Sequence, residues 1–191
     1  MSSISSVSAR TLGDVIPGGL ARSVALVLAG TGLVALSAQV AIPLPFTPVP
    51  LTLQTFAVLL VGAALGSVRG VASMGLYLLV GMAGVPWFSD DRSGWAFASF
   101  GYIVGFVVAA ALVGKLAERG ADRTLPKAVG LMVLGNLAIY AVGVPGLMLF
   151  TGMSLGKALL VGVVPFLIGD AIKIIVAAGL LPAAWKLATR G

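Results

Sequence analysis

The chain has 191 residues, of which 59% are apolar and only 9% charged, against roughly a quarter charged in an average soluble domain. Mean hydropathy is +1.12, so a soluble globular fold is excluded and lipid solvates most of the surface. The net charge of +6 is spread between apolar runs and forms no stripe, which favours orientation in a membrane over nucleic-acid binding, and the absence of Cys and His removes disulfides, Cys/His metal sites and thiol or imidazole catalysis.

Residues 1–20 are Ser-rich and read as a flexible polar tail closed by Pro17-Gly18-Gly19. The first apolar run, about Arg22 to Ala41, is longer than a signal-peptide core and is read as a retained span. Pro43, Pro45, Pro48 and Pro50 rule out helix and predict an extended loop against the protein. Short spans follow at about Leu51–Leu65 and Val71–Ala83, separated by a turn over Gly66–Gly70. Gly84–Ser99 reads as a loop, Phe100–Leu116 as span four, residues 117–127 as a charged turn and Ala128–Val144 as span five. Pro145–Val164 reads as a loop with a short helix near Leu155–Val161, and Pro165 opens span six, which runs to about Ala188. The expected fold is all-α: a single domain over 21–191 built as a bundle of six transmembrane helices.

Charge sets the orientation. Arg10, Arg22, Arg69, Lys115, Arg119, Arg123, Lys127, Lys186 and Arg190 fall on one side, with Arg92 and Lys157 on the other. The positive-inside rule then makes both termini cytoplasmic.

Asp170 and Lys173 are the most informative residues. They stand three apart within an otherwise apolar span, hence on one helix face, and a lone charge at mid-bilayer costs about 2.5–3.5 kcal/mol on insertion scales. Such a pair either pins helix packing or meets a ligand in an outward cavity. Asn136 and Tyr140 share a face of span five and read either as packing glue or as site. Gln54, with Thr52 and Thr55, stands at the outer end of span two. Trp87, Phe88, Trp95 and Tyr102 lie near the outer boundary, as an aromatic belt or as a wall for an amphipathic ligand. Ala21, Ala25 and Ala29 recur every four residues, a spacing that lets another helix approach closely. Residues 152–158 read G-M-S-L-G-K-A, which is not a P-loop, so no ATP hydrolysis is expected of this chain, and Asp170 has no second intramembrane Asp with which to act as a protease.

Four stretches resemble one family. Pro43 to Thr55 reads P-L-P-F-T-P-V-P-L-T-L-Q-T; Gly70 to Phe88 has the shape G-x6-Y-L-L-x-G-x-x-G-x-P-x-F; Asn136 to Tyr140 is followed by Gly143-Val144-Pro145; and Gly169 to Lys173 reads G-D-A-I-K. In this order they resemble BioY, the biotin-specific S component of energy-coupling factor (ECF) transporters. One stretch departs from the family's G-P-T-G-G-Y: here Phe97-Ala98-Ser99-Phe100-Gly101-Tyr102.

The resemblance implies a six-helix S-component fold in a prokaryotic cell membrane that captures biotin from outside and works with a membrane coupling protein (the T component) and two ABC-type ATPases. It implies a binder and not an enzyme, with biotin as ligand, no cofactor and no metal. It implies that Asp170 accepts from the ureido N–H groups, and that Lys173 donates to the ureido carbonyl or to the carboxylate. Asn136, Tyr140 and Gln54 complete the polar set, Trp87, Phe88 and Tyr102 wall the apolar part, and Ala21, Ala25 and Ala29 dock the T component. An S component for another vitamin and a stand-alone secondary transporter are the alternatives; the latter favours inverted repeats and ion sites, which the sequence does not display.

Overall fold

A computed structural model describes residues 10–188 of the chain; residues 1–9 of the expected tail, and Arg190, lie outside the described residues. The helices are α1 (Leu20–Gln39), α2 (Gln54–Met82), α3 (Phe100–Ala117), α4 (Leu125–Thr151), α5 (Leu155–Gly162) and α6 (Leu167–Ala188). Between α1 and α2 the proline-rich loop is closed by a two-residue antiparallel pair, β1 (Ala41–Ile42) with β2 (Leu51–Thr52).

Helix α2 is two spans. Gly66 breaks it, with φ 82° and ψ 177°, a conformation open to glycine because it has no Cβ. A straight helix would hold Gln54 and Tyr77 about 34 Å apart; instead the Gln54 Nε2 donates to the Tyr77 hydroxyl at 2.8 Å. The two halves therefore fold back on each other as a hairpin, and its bend docks on α3. There a Cβ on Gly114 would lie 2.4 Å from the Ser67 nitrogen and 2.5 Å from the Gly66 carbonyl carbon. Five helical stretches are long and apolar enough to cross a membrane, the last of them taking in α5, a 3-10 turn over Val164–Phe166 and α6. With α2 crossing twice, the six spans read from the sequence are met.

Two boundaries are corrected. Span two was predicted from Leu51, yet Leu51–Thr52 pair as β2 and α2 starts at Gln54. Span five was predicted to end before Pro145, yet α4 runs through Pro145 to Thr151. Proline is tolerated inside membrane helices when neighbouring groups take up the freed carbonyl. What ends α4 is Gly152, at φ 68°, whose N–H bonds the Met148 carbonyl at 2.8 Å.

The basic end is tied together by polar contacts. Within the segment read as a flexible tail, Leu12–Asp14 form a 3-10 turn; Asp14 is bonded by Thr11 and pairs with Arg69 at 2.6 Å. At the α2 bend, Glu118 accepts from the Ser67 N–H (2.8 Å) and hydroxyl (2.6 Å). Across the bundle, Trp185 near the end of α6 donates to buried Asp122 at 2.6 Å. The Ser67 bonds hold the Glu118 carboxyl below the usual carboxylate range. A lowered folded-state value contributes stability above the unfolded value, near ~4.3, and loses it as pH falls through the folded one. The melting temperature of detergent-solubilised chain is therefore expected to drop as pH falls below about 4.3. Glu118→Gln should remove part of that drop; an identical pH profile would show that the Ser67 bonds carry none of it.

Candidate functional site: a slot at the outer ends of the helices

At the end opposite the basic cluster, the proline loop, the α2–α3 loop and helices α2, α3, α4 and α6 enclose one cavity. The β1–β2 pair sets the return of the loop, so that Val49 to Thr55 reach the wall. The space measures about 590 Å³ with its open mouth included. It is a narrow slot, lined mostly by apolar side chains with a few placed polar groups, the common form of a small-molecule site.

Among the described residues, Asp170 and Lys173 are the only charged groups in the wall. Their position in α6 turns both onto one face, and Lys173 Nζ stands 3.3 Å from Asp170 Oδ1. Lys173 also donates to the Thr55 hydroxyl at 2.9 Å, and Tyr140 from α4 donates to the other oxygen of Asp170. Three helices thus hold one acid–base pair, both members largely buried. Asp170 keeps free lone pairs beyond these two bonds, and Lys173 keeps one of its three N–H groups.

Of the residues singled out in the sequence, Asp170, Lys173, Tyr140, Gln54, Phe88 and Tyr102 all line the slot. Gln54 is buried and oriented: it donates to Tyr77, and its Oε1 accepts from Thr52 at 3.2 Å. Tyr102 donates to the Gly162 carbonyl at 2.8 Å, which fixes its ring at the wall. Phe88 is fully buried against Tyr77 and Phe97. Its ring sits where Gly81 offers no side chain: a Cβ there would be 2.1 Å from Phe88 Cζ.

Three candidates, Trp87, Asn136 and Trp95, are not brought to the wall, and Trp95 is exposed. Trp87 stacks on Tyr77 at 5.3 Å and donates to the Tyr77 carbonyl at 3.0 Å. Its own carbonyl receives Gln39 (3.1 Å) and the Tyr77 hydroxyl (3.3 Å). It anchors the residue next to Phe88 instead of facing the slot. Asn136 is buried on α4, gives its amide to the Met132 carbonyl at 3.4 Å and keeps an Oδ1 without a hydrogen-bond partner. Sequence reasoning passed over Phe97, Ile103, Phe106, Ile139 and Phe166, which wall the slot, and noted Thr55 only as a neighbour of Gln54. An apolar residue in an apolar helix carries no signal of which way it faces; Thr55, a hydroxyl in a span, did.

The fold has a solved counterpart. The crystal structure at 2.1 Å of the S-component for biotin from an ECF-type ABC transporter superposes with a TM-score of 0.78, covering 87% of this chain and 92% of that one at 21% identity. The chain is 36% identical over 156 residues to a biotin transporter BioY of Rhizobium etli, across 76% of this chain and 83% of the relative. It is 38% identical over 151 residues to a biotin transporter BioY of Thermotoga maritima, across 78% and 86%. The sequence profile of the BioY family matches residues 5–190. The chain is thus a multi-pass membrane protein that belongs to the BioY family.

Proposed function

We propose that this chain is the biotin-binding S component of an ECF-type uptake transporter. The observation that carries the reading is the buried Asp170–Lys173 pair, held by Tyr140 and Thr55 in the wall of an otherwise apolar slot. Biotin matches that chemistry. Its ureido ring has two N–H donors and one carbonyl, its bicycle and chain are apolar, and its tail ends in a carboxylate. Asp170 supplies acceptors, Lys173 a remaining donor, Gln54 an amide oxygen, and Phe88 and Tyr102 the apolar walls. Biotin is cargo here and not a cofactor.

The basic end faces the cytoplasm, with both termini, and the slot faces outward. The partners are a membrane coupling protein and two ABC-type ATPases. Support for the docking face comes from α1, where Ala21, Ala25 and Ala29 are all exposed, leaving a shallow helix surface that another helix can approach.

Titrating biotin into detergent-purified chain while following tryptophan fluorescence tests the reading, since Trp87 is stacked one residue from the wall. A saturable change, with biotin retained by mass spectrometry, is the expected result; the absence of both sinks the assignment. Ala25→Trp is expected to keep biotin binding and abolish uptake in cells carrying the full transporter. Uptake at the unsubstituted rate would remove α1 as the docking face.

A further inference from the structure

The fold gathers the charge of the basic end into one groove. Two adjoining open depressions there measure about 880 and 820 Å³ with their mouths included, and Arg10 and Glu118 stand in the wall of both. Arg119, Arg123 and Lys127 complete the charged wall of the first depression. Asp14, Arg69 and Lys115 complete that of the second. These cations come from segments far apart in sequence: the stretch before α1, the α2 bend, the end of α3 and the start of α4. Orientation in a membrane asks only that basic residues lie on one side. It does not ask four segments to converge.

The carboxylates of the groove are already engaged. Asp14 pairs with Arg69 at 2.6 Å, and Glu118 takes both Ser67 donors and Lys115 at 3.5 Å. Asp122, the nearby acid between α3 and α4, is fully buried and accepts from Trp185. Among the described residues, no carboxylate pairs with Arg10, Arg119 or Lys127, and all three are exposed. The Arg123 guanidinium lies over the Trp185 ring at 4.2 Å, which holds it at the rim. The groove therefore presents positive charge to an anion. Its flanks are apolar. Val68 lines the second depression and is 80% exposed, and Leu125, next to Thr124 in the wall of the first, is 57% exposed. A free phosphate gains nothing from such flanks. A phospholipid gains twice, with its phosphate among the cations and its acyl chains along the apolar surface.

We propose that this groove binds the headgroup of an anionic phospholipid from the leaflet at the basic end. Arg10, Arg119, Arg123 and Lys127 meet the phosphodiester, and Val68 and Leu125 meet the chains. Basic pockets between transmembrane helices suit such headgroups. The site lies at the opposite end of the bundle from the slot, so it stands independently of the biotin reading.

The test titrates phosphatidylglycerol into the chain in neutral detergent and follows melting temperature. Phosphatidylcholine with the same acyl chains and glycerol phosphate are run alongside. A ligand that binds the folded state raises the melting temperature. Phosphatidylglycerol is expected to raise it saturably, and the other two to leave it unchanged. A cation near an anionic lipid surface is worth about fivefold in affinity. Arg119→Gln/Lys127→Gln should therefore move the titration midpoint to about 25-fold higher lipid. Lys157→Gln/Lys186→Gln removes the same charge outside the groove and should leave the midpoint where it was. Salt at about 0.5 M should weaken the wild-type response. The proposal falls if phosphatidylcholine or glycerol phosphate matches phosphatidylglycerol, the latter marking a site for free phosphate. It also falls if the groove variant keeps the wild-type midpoint, if the control variant weakens as much, or if the wild-type response ignores salt. The lipid comparison and the salt arm both read the wild-type chain, so they decide the matter even where a variant folds poorly. A wild-type chain that binds phosphatidylglycerol in this way but no biotin overturns the functional reading and leaves the lipid site standing.

Discussion

Asp170→Asn is expected to lower biotin affinity at least about a hundredfold, the largest effect of any single change at the site. The carboxylate is buried, receives Tyr140 and Lys173, and faces the slot. An amide in its place offers one acceptor oxygen where there were two, and carries no charge to balance Lys173. Removing one member of a buried ion pair costs about 3–5 kcal/mol, much of it from the charge left behind. Stability should therefore fall along with binding. Adding Lys173→Met separates the two effects. The Asp170→Asn/Lys173→Met double variant should recover melting temperature, because no unpaired charge remains, and should still fail to bind biotin in the fluorescence titration. If the double variant binds like the wild type, the pair serves packing alone and the functional reading of α6 is lost.

The second large effect lies at the other end of the molecule. Gly114→Ala is expected to destabilise the bundle by about 3 kcal/mol or more, at the upper end of overpacking costs. The new Cβ would stand 2.4–2.6 Å from the Ser67 nitrogen, the Gly66 carbonyl carbon and the Ser67 Cα. All three are backbone atoms, so no side-chain rotation relieves the clash; the α2 bend must lift off α3. That bend also holds Glu118 and lies beside the Arg69–Asp14 pair, so those contacts should loosen together. A melting-temperature fall on the order of 10 °C is expected. Gly130→Ala is the matched control, because a Cβ there meets nothing within 4 Å. Equal melting temperatures for the two variants would show that the α2–α3 contact has no such constraint.

Much of the fold was legible because lipid imposes simple rules. A backbone in hydrocarbon must bond internally, so long apolar runs are helices. Charged residues gather between spans, and glycines and prolines mark the turns. Gly66 and the proline cluster were read correctly on that basis. Pro145 misled, since the same residue that ends a helix in water can sit inside one in a membrane. The Leu12–Asp14 turn was invisible for another reason. A serine-rich segment looks like a tail until Arg69, some 55 residues away in sequence, supplies the partner for Asp14.

The acid–base pair on α6 was determined by sequence alone. Two charges three residues apart in hydrocarbon have few arrangements open to them, and the flanking G-D-A-I-K run tied them to a family. The other walls of the slot were decided only by tertiary structure. In a helix apolar on every side, periodicity does not separate the face that meets lipid from the face that meets protein. Leu149, 85% exposed, and Phe106, 4% exposed, look alike as letters. Gln54 and Asn136 were likewise equivalent as amides in spans, and packing sent one into the slot and the other against its own helix. Ser89 carried no signal at all. Its place in the wall comes from the α2–α3 loop, which takes its conformation only once the chain has closed around the cavity.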